Sequence, residues 1–113
     1  HLVIGMASNK DSAAILKEIV PYADRVYATR FEIRERKCMH PVAIVKEARR
    51  YHKKGAAFLF SLDPRHALHM ALAHAGKNDC VLATGSFFLA GELRKRWYSE
   101  SWVLTHRKSF RTK

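Results

Sequence analysis

Four times along this chain a short apolar run breaks at a turn and a helix-periodic stretch follows. Leu2-Val3-Ile4-Gly5-Met6 leads to a helical pattern from about Asp11 to Val20, with Ala13, Leu16, Ile19 and Val20 on its apolar side and Pro21 as its stop. Arg25–Thr29 precedes an arginine-rich loop, Arg30 to His40, and a helix from about Pro41 to Lys54 closed by Gly55. Proline suits a first helical position, and Val42, Val45, Ala48 and His52 form the expected inner stripe. Ala57–Ser61 runs into Asp63-Pro64, a helix-start signature, and Ala67, Leu68, Ala71, Leu72 and Ala75 make the next stripe before Gly76. Cys80–Ala83 stops at Thr84-Gly85-Ser86, and a helix beginning near Ser86 is expected to bury Leu89, Leu93 and Trp97. Such alternation specifies a parallel sheet covered on both faces. The fold class is therefore α/β: a Rossmann-like three-layer domain with a mostly parallel sheet. Ser101–Thr105 reads as a short extra strand, which ends the domain at residue 106 and leaves 107–113 as a basic tail.

With 113 residues, 48% of them hydrophobic, the chain has material for one core and is not of disordered composition. No apolar run approaches the roughly 18 residues of a membrane span, and no signal segment opens the sequence. A cytoplasmic protein is expected. Cys38 in a loop and Cys80 in a strand read as free thiols. Cys38-Met39-His40 and the pair His66 and His69 fall short of a zinc donor set, so no metal site is expected.

The net charge of +11 is unevenly spread. Residues 1–33 are neutral and 55–93 slightly acidic, while 34–54 and 94–113 carry +6 each. Such blocks suit phosphates or acidic ligands, or are simply solvated helix faces. A small basic nucleic-acid-binding module is the alternative reading. Against it, no nucleic-acid-binding motif is present and the charges lie outside the strand-end turns. Trp97, Tyr98 and Trp102 read as packing for the last helix rather than as a base-stacking platform. A free-standing dinucleotide unit fails as well: G-x-G-x-x-G is missing after the first strand, and Arg30 stands where an acid should close the second.

Three motifs occur in register: G-M-x-x-x-K-D at Gly5–Asp11, R-V-Y-A-T-R at Arg25–Arg30, and V-L-A-T-G-S-F-F-L-A-G-E at Val81–Glu92. Over about residues 2 to 97 this set resembles the carboxy-terminal domain of the folylpolyglutamate synthase/dihydrofolate synthase family, within the Mur ligase superfamily. The resemblance implies ATP-dependent amide ligation, in which a folate or dihydropteroate carboxylate becomes an acyl phosphate and the amino group of L-glutamate attacks it. It also implies an amino-terminal ATPase domain that carries the P-loop, the magnesium site and most of the pterin pocket, so ATP and Mg2+ are expected outside this chain.

Carried over by position, Lys10 and Ser86 bind the glutamate carboxylates, Gly85 lets the backbone approach, and Asp11 orients Lys10. Thr29 and Arg30 fall where some relatives read the amino acid side chain. An ammonium and a hydroxyl at a helix N-terminus are sound carboxylate ligands. No residue of this chain is assigned a catalytic role. The family's D-K-D is Asn9-Lys10-Asp11 here, and its D-G-A-H-N strand and helix are not found before Leu2. The chain therefore reads as a truncated domain, inactive by itself. The absent strand is expected to leave an empty slot between Leu2–Met6 and Ala57–Ser61, closed either by direct pairing of those two strands or, as the favoured outcome, by a homodimer or segment exchange with a second copy.

Overall fold

The computed structural model describes residues 1–32 and 37–106. Its core is a sheet of four parallel strands in the order β3-β2-β1-β4. The strands are β1 (Leu2–Ile4), β2 (Arg25–Ala28), β3 (Ala57–Phe60) and β4 (Leu82–Thr84). Between and after them lie α1 (Ser12–Ile19), α2 (Pro41–Ala48), α3 (Pro64–His74), α4 (Phe87–Arg94) and α5 (Glu100–His106), with a 3₁₀ turn at Val20–Tyr22. This is the expected three-layer Rossmann-like architecture.

Alternation along the two central strands builds both layers of core. Leu2 and Ile4 of β1 join Val26 and Ala28 of β2, Leu16 of α1 and Ile44 and Ala48 of α2 on one face. Val3 and Tyr27 point the other way, to Ala67, Leu68 and Ala71 of α3 and Leu89 and Leu93 of α4. Strands apolar on both sides need both faces covered, which is why the run at 2–6 shows no polar alternation.

The empty slot does not exist. β1 is hydrogen-bonded on both sides, with Leu2 opposite Val26 on β2 and Leu82 on β4. β3 lies outside β2, so the free edges are the outer sides of β3 and β4. The reason is the crossover: α1 and α2 carry the chain outward along one face, and α3 returns it across the other, setting β4 directly beside β1. The premise for a second copy filling a central gap falls with the slot.

Four local expectations also change. Ser101–Thr105 is helix, not strand: Ser99 Oγ accepts from the Trp102 amide (3.1 Å), and Tyr98, Trp102 and His106 stack at four-residue spacing along one helix side. Trp97 is 59% exposed because α4 ends at Arg94, before the stripe reaches it. The inner face of α2 is Pro41, Ile44 and Ala48 with Val45 packed partly buried beside them, whereas Val42 is exposed and His52 lies beyond its end. The last strand begins at Leu82, leaving Cys80 exposed; both cysteines are free thiols. The tail at 107–113 lies outside the described residues, as does part of the arginine-rich loop. Among the described residues no helix is long and apolar enough to cross a membrane.

Candidate functional site

The loops after β1 and β4 leave adjacent strands in opposite directions, one to α1 on one face and one to α4 on the other. A crevice opens wherever an open α/β sheet reverses in this way, at the carboxyl ends of the strands. Three strand ends meet there. The Thr29 amide donates to the Ile4 carbonyl (2.9 Å), and the Gly5 amide reaches the Thr84 carbonyl at 3.4 Å. Gly85 has φ +103°, and a side-chain carbon there would lie inside the van der Waals radius of the Gly5 carbonyl oxygen. Glycine is therefore a requirement at this junction for both conformation and space.

Ser86 is the N-cap of α4, its Oγ accepting from the Phe88 amide (3.1 Å). A hydroxyl that accepts from its own helix keeps its proton free to donate outward, next to the positive end of the helix. Lys10 is exposed on the other side of the crevice and has no ion-pair partner among the described residues. Asp11 does not hold it. The Asp11 carboxylate instead caps α1, accepting from the Ala14 amide at 3.1 Å.

Thr29 is fully buried, and its hydroxyl has no hydrogen-bond partner among the described residues. Buried polar groups are nearly always satisfied, so this hydroxyl at the end of β2 is an exception to the rule. Arg30 turns away from Lys10 and Ser86 toward β3, donating from Nε to the Leu62 carbonyl (3.2 Å). There it borders a groove of about 930 Å³ shared with Phe31, Asp63, Arg65, Phe87, Phe88 and Glu92. The expected residues thus divide, with Lys10, Thr29, Gly85 and Ser86 about the crevice and Arg30 in the groove beside it.

The sequence reading left one element unplaced. Residues 37–39 fold back over the end of β1: the Ser8 amide donates to the Lys37 carbonyl (2.8 Å) and the Met39 amide to the Met6 carbonyl (2.8 Å). Ala7 and Cys38 form an isolated antiparallel bridge, and Cys38 Sγ donates to the Phe31 carbonyl (2.8 Å). Lys37 is thereby brought beside the Ser8–Lys10 turn, across 27 residues of sequence from Lys10. Only the apolar Cys38-Met39 pair inside a basic loop hinted at this anchorage.

Across the groove, Arg65 of α3 and Lys95 both bind Glu92 of α4 at 3.1 Å. Hydrogen bonds from Lys95 and then Arg65 hold the Glu92 carboxyl below its ordinary value. Among the described residues no group of three His, Cys, Asp or Glu side chains comes together as a metal site.

No curated protein and no solved structure matches the chain. The family model described as Mur ligase, glutamate ligase domain, matches residues 1–87, from β1 through the Gly85-Ser86 turn into α4. The matched span contains the reversal of the sheet, the bridging loop at 37–39 and each candidate residue, and the chain belongs to the Mur ligase glutamate ligase domain family.

Proposed function

We propose that this domain seats the L-glutamate that is ligated, at the expense of ATP, to a folate or dihydropteroate carboxylate, as in a folylpolyglutamate/dihydrofolate synthase. The observation that carries the reading is the pairing of β1 with β4, which sets the Ser86 helix start beside the turn that bears Lys10. An ammonium without an ion-pair partner among the described residues, a hydroxyl with a proton to give and a helix N-terminus are complementary to a carboxylate. Arg30, in the adjoining groove with Glu32 at 3.7 Å, is assigned in this proposal to a second, distal carboxylate, and with it a preference for glutamate over shorter acids.

ATP and its metal belong in this proposal to an amino-terminal ATPase domain. The work of this domain is orientation. It holds the glutamate so that its amino group meets an acyl phosphate, forming the amide and releasing phosphate, with the reaction placed in the cytoplasm.

The test is the Michaelis constant for glutamate in a ligase carrying this domain. Ser86→Gly is tolerated at a helix cap and removes the hydroxyl donor, and Lys10→Ala removes the charge. Each should raise the constant about ten- to a hundredfold, the equivalent of a lost charge-assisted contact of roughly 1.5–3 kcal/mol. Unchanged constants in both variants would remove the proposal.

A further inference from the structure

A second polar cluster lies at the opposite end of the sheet, and none of its members takes part in the crevice. Asp79, in the turn before β4, faces His1 Nε2 at 3.3 Å. His1 Nδ1 lies 3.1 Å from the Tyr27 hydroxyl, which lies 2.8 Å from His74 Nδ1 at the end of α3. The three rings are stacked at 6.0 and 5.9 Å between centroids. Tyr27 is fully buried and the His1 side chain is only 6% exposed. We propose that Asp79, His1, Tyr27 and His74 form a proton-counting latch that holds edge strand β4 on the sheet and opens when both imidazoles carry a proton.

The argument is a count of donors and acceptors. A phenol gives one proton and here has two ring nitrogens beside it, so one imidazole must donate to it and the other accept. Burial pushes the Tyr27 phenol up, so it keeps its proton over the neutral range. Asp79 Oδ2 accepts from the Gly76 amide (2.6 Å) and faces His1 as an acceptor, so His1 Nε2 carries hydrogen.

With one proton on the pair, His1 donates to both Asp79 and Tyr27, and Tyr27 donates to His74. Arg25 Nη1, 3.5 Å from the same His74 nitrogen, then also meets an acceptor. With no added proton the chain reverses: Tyr27 donates to His1 and His74 donates to Tyr27. All three links survive. With two protons both imidazoles point N–H at one oxygen, the phenol has no acceptor, and Arg25 faces a second cation. An unsatisfied buried donor is then the cost of closure. The other charges nearby are the His1 amino group, which donates to the Cys80 carbonyl, and Asp24, at the head of β2, which is paired with Lys53 and feels the His1 amino group and Asp79 only through space.

The latch acts on β4 because β4 is short and has a single neighbour. Its entry is held by the His1 nitrogen on the Cys80 carbonyl (3.0 Å) and by the Leu82 amide on the His1 carbonyl (2.9 Å). Three residues later the same strand delivers Gly85 and Ser86.

Hydrogen exchange on the full chain, corrected for intrinsic rates, tests this. Between about pH 7.5 and about pH 5 the protection of the Leu82 and Thr84 amides, the two that point to β1, should fall about tenfold relative to the Leu16 and Ile44 amides of α1 and α2. His74→Gln, whose amide can donate or accept, should hold β4 protection within about twofold over that range. Tyr27→Phe should give low protection at both ends. Nitrogen-15 spectra of the wild-type imidazoles supply an independent reading. Two doubly protonated rings with β4 still protected would overturn the proposal, and so would the same pH response in His74→Gln as in the wild type.

Discussion

The two ends of the sheet use polar chemistry in opposite ways. At the amino ends the polar side chains answer one another: Asp79 to His1, His1 to Tyr27, Tyr27 to His74. At the carboxyl ends they are left open. Among the described residues Lys10 has no ion-pair partner and the Thr29 hydroxyl is buried unmatched, and Ser86 keeps a proton to donate. A fold seeking only stability would satisfy both ends, since an unmatched buried hydroxyl costs about 1–3 kcal/mol. The contrast is the one the proposed function calls for: a carboxyl end open to a ligand, and an amino end whose polar groups hold the strands together.

The largest effect should come from breaking the crevice itself. Gly85→Ala forces a side chain into the left-handed region and onto the Gly5 carbonyl, a backbone group that cannot swing aside, with Ile4 Cγ1 at 3.1 Å beside it. A loss of about 3 kcal/mol or more is expected from strain and clash together. Gly55 is the control: its φ is +84°, but nothing lies within 4 Å of an added carbon. Gly55→Ala should therefore cost only the strain, about 1 kcal/mol. Urea midpoints of the two variants decide the matter; equal losses would mean that β1 and β4 are not locked at this junction.

A smaller effect, of opposite sign, is expected from Thr29→Val. The two side chains have nearly the same shape, and the exchange removes the orphan hydroxyl. The domain should gain about 1 kcal/mol while the ligase carrying it loses affinity for glutamate. Thermal melting and the glutamate Michaelis constant are the two readouts. A destabilised variant would show that the hydroxyl is satisfied in solution and that the carboxyl end is less open than this comparison holds.

These features were unequally legible in the sequence. The strand-to-helix units and the glycine turns are local signals, written in runs of a few residues such as Leu2–Met6 and Thr84–Ser86. Strand order is not local. Placing β4 beside β1 depends on which face α3 crosses, and the supposed slot was a miscount of that crossover. Arg30 was rightly singled out as a strand-end residue, but its direction follows from the Leu62 carbonyl 32 positions away. Asp11 was misread because an N-cap and a lysine partner look alike in sequence. The amino-end latch left no motif, since its members at 1, 27, 74 and 79 meet only once the sheet has formed.

The smallest expected effect separates the two ends by pH. Glu92 ties α4 to Arg65 of α3 at the rim of the groove, and Lys95 and Arg65 lower its carboxyl from the ordinary 4.5. A carboxyl lowered in the folded state stabilises that state wherever it is ionised. Its contribution is complete above the ordinary value and disappears as the pH falls through the lower folded value. The pair is largely at the surface, so the contribution is under about 1 kcal/mol and shrinks in salt. Glu92→Gln should therefore be slightly less stable than the wild type at neutral pH, and the two should converge in acid below about pH 4. That window lies under the near-neutral range in which the histidine latch responds, so one pH series of denaturation midpoints resolves both. A difference between wild type and Glu92→Gln that persists undiminished below about pH 4 would show that Glu92 acts by packing and not by charge.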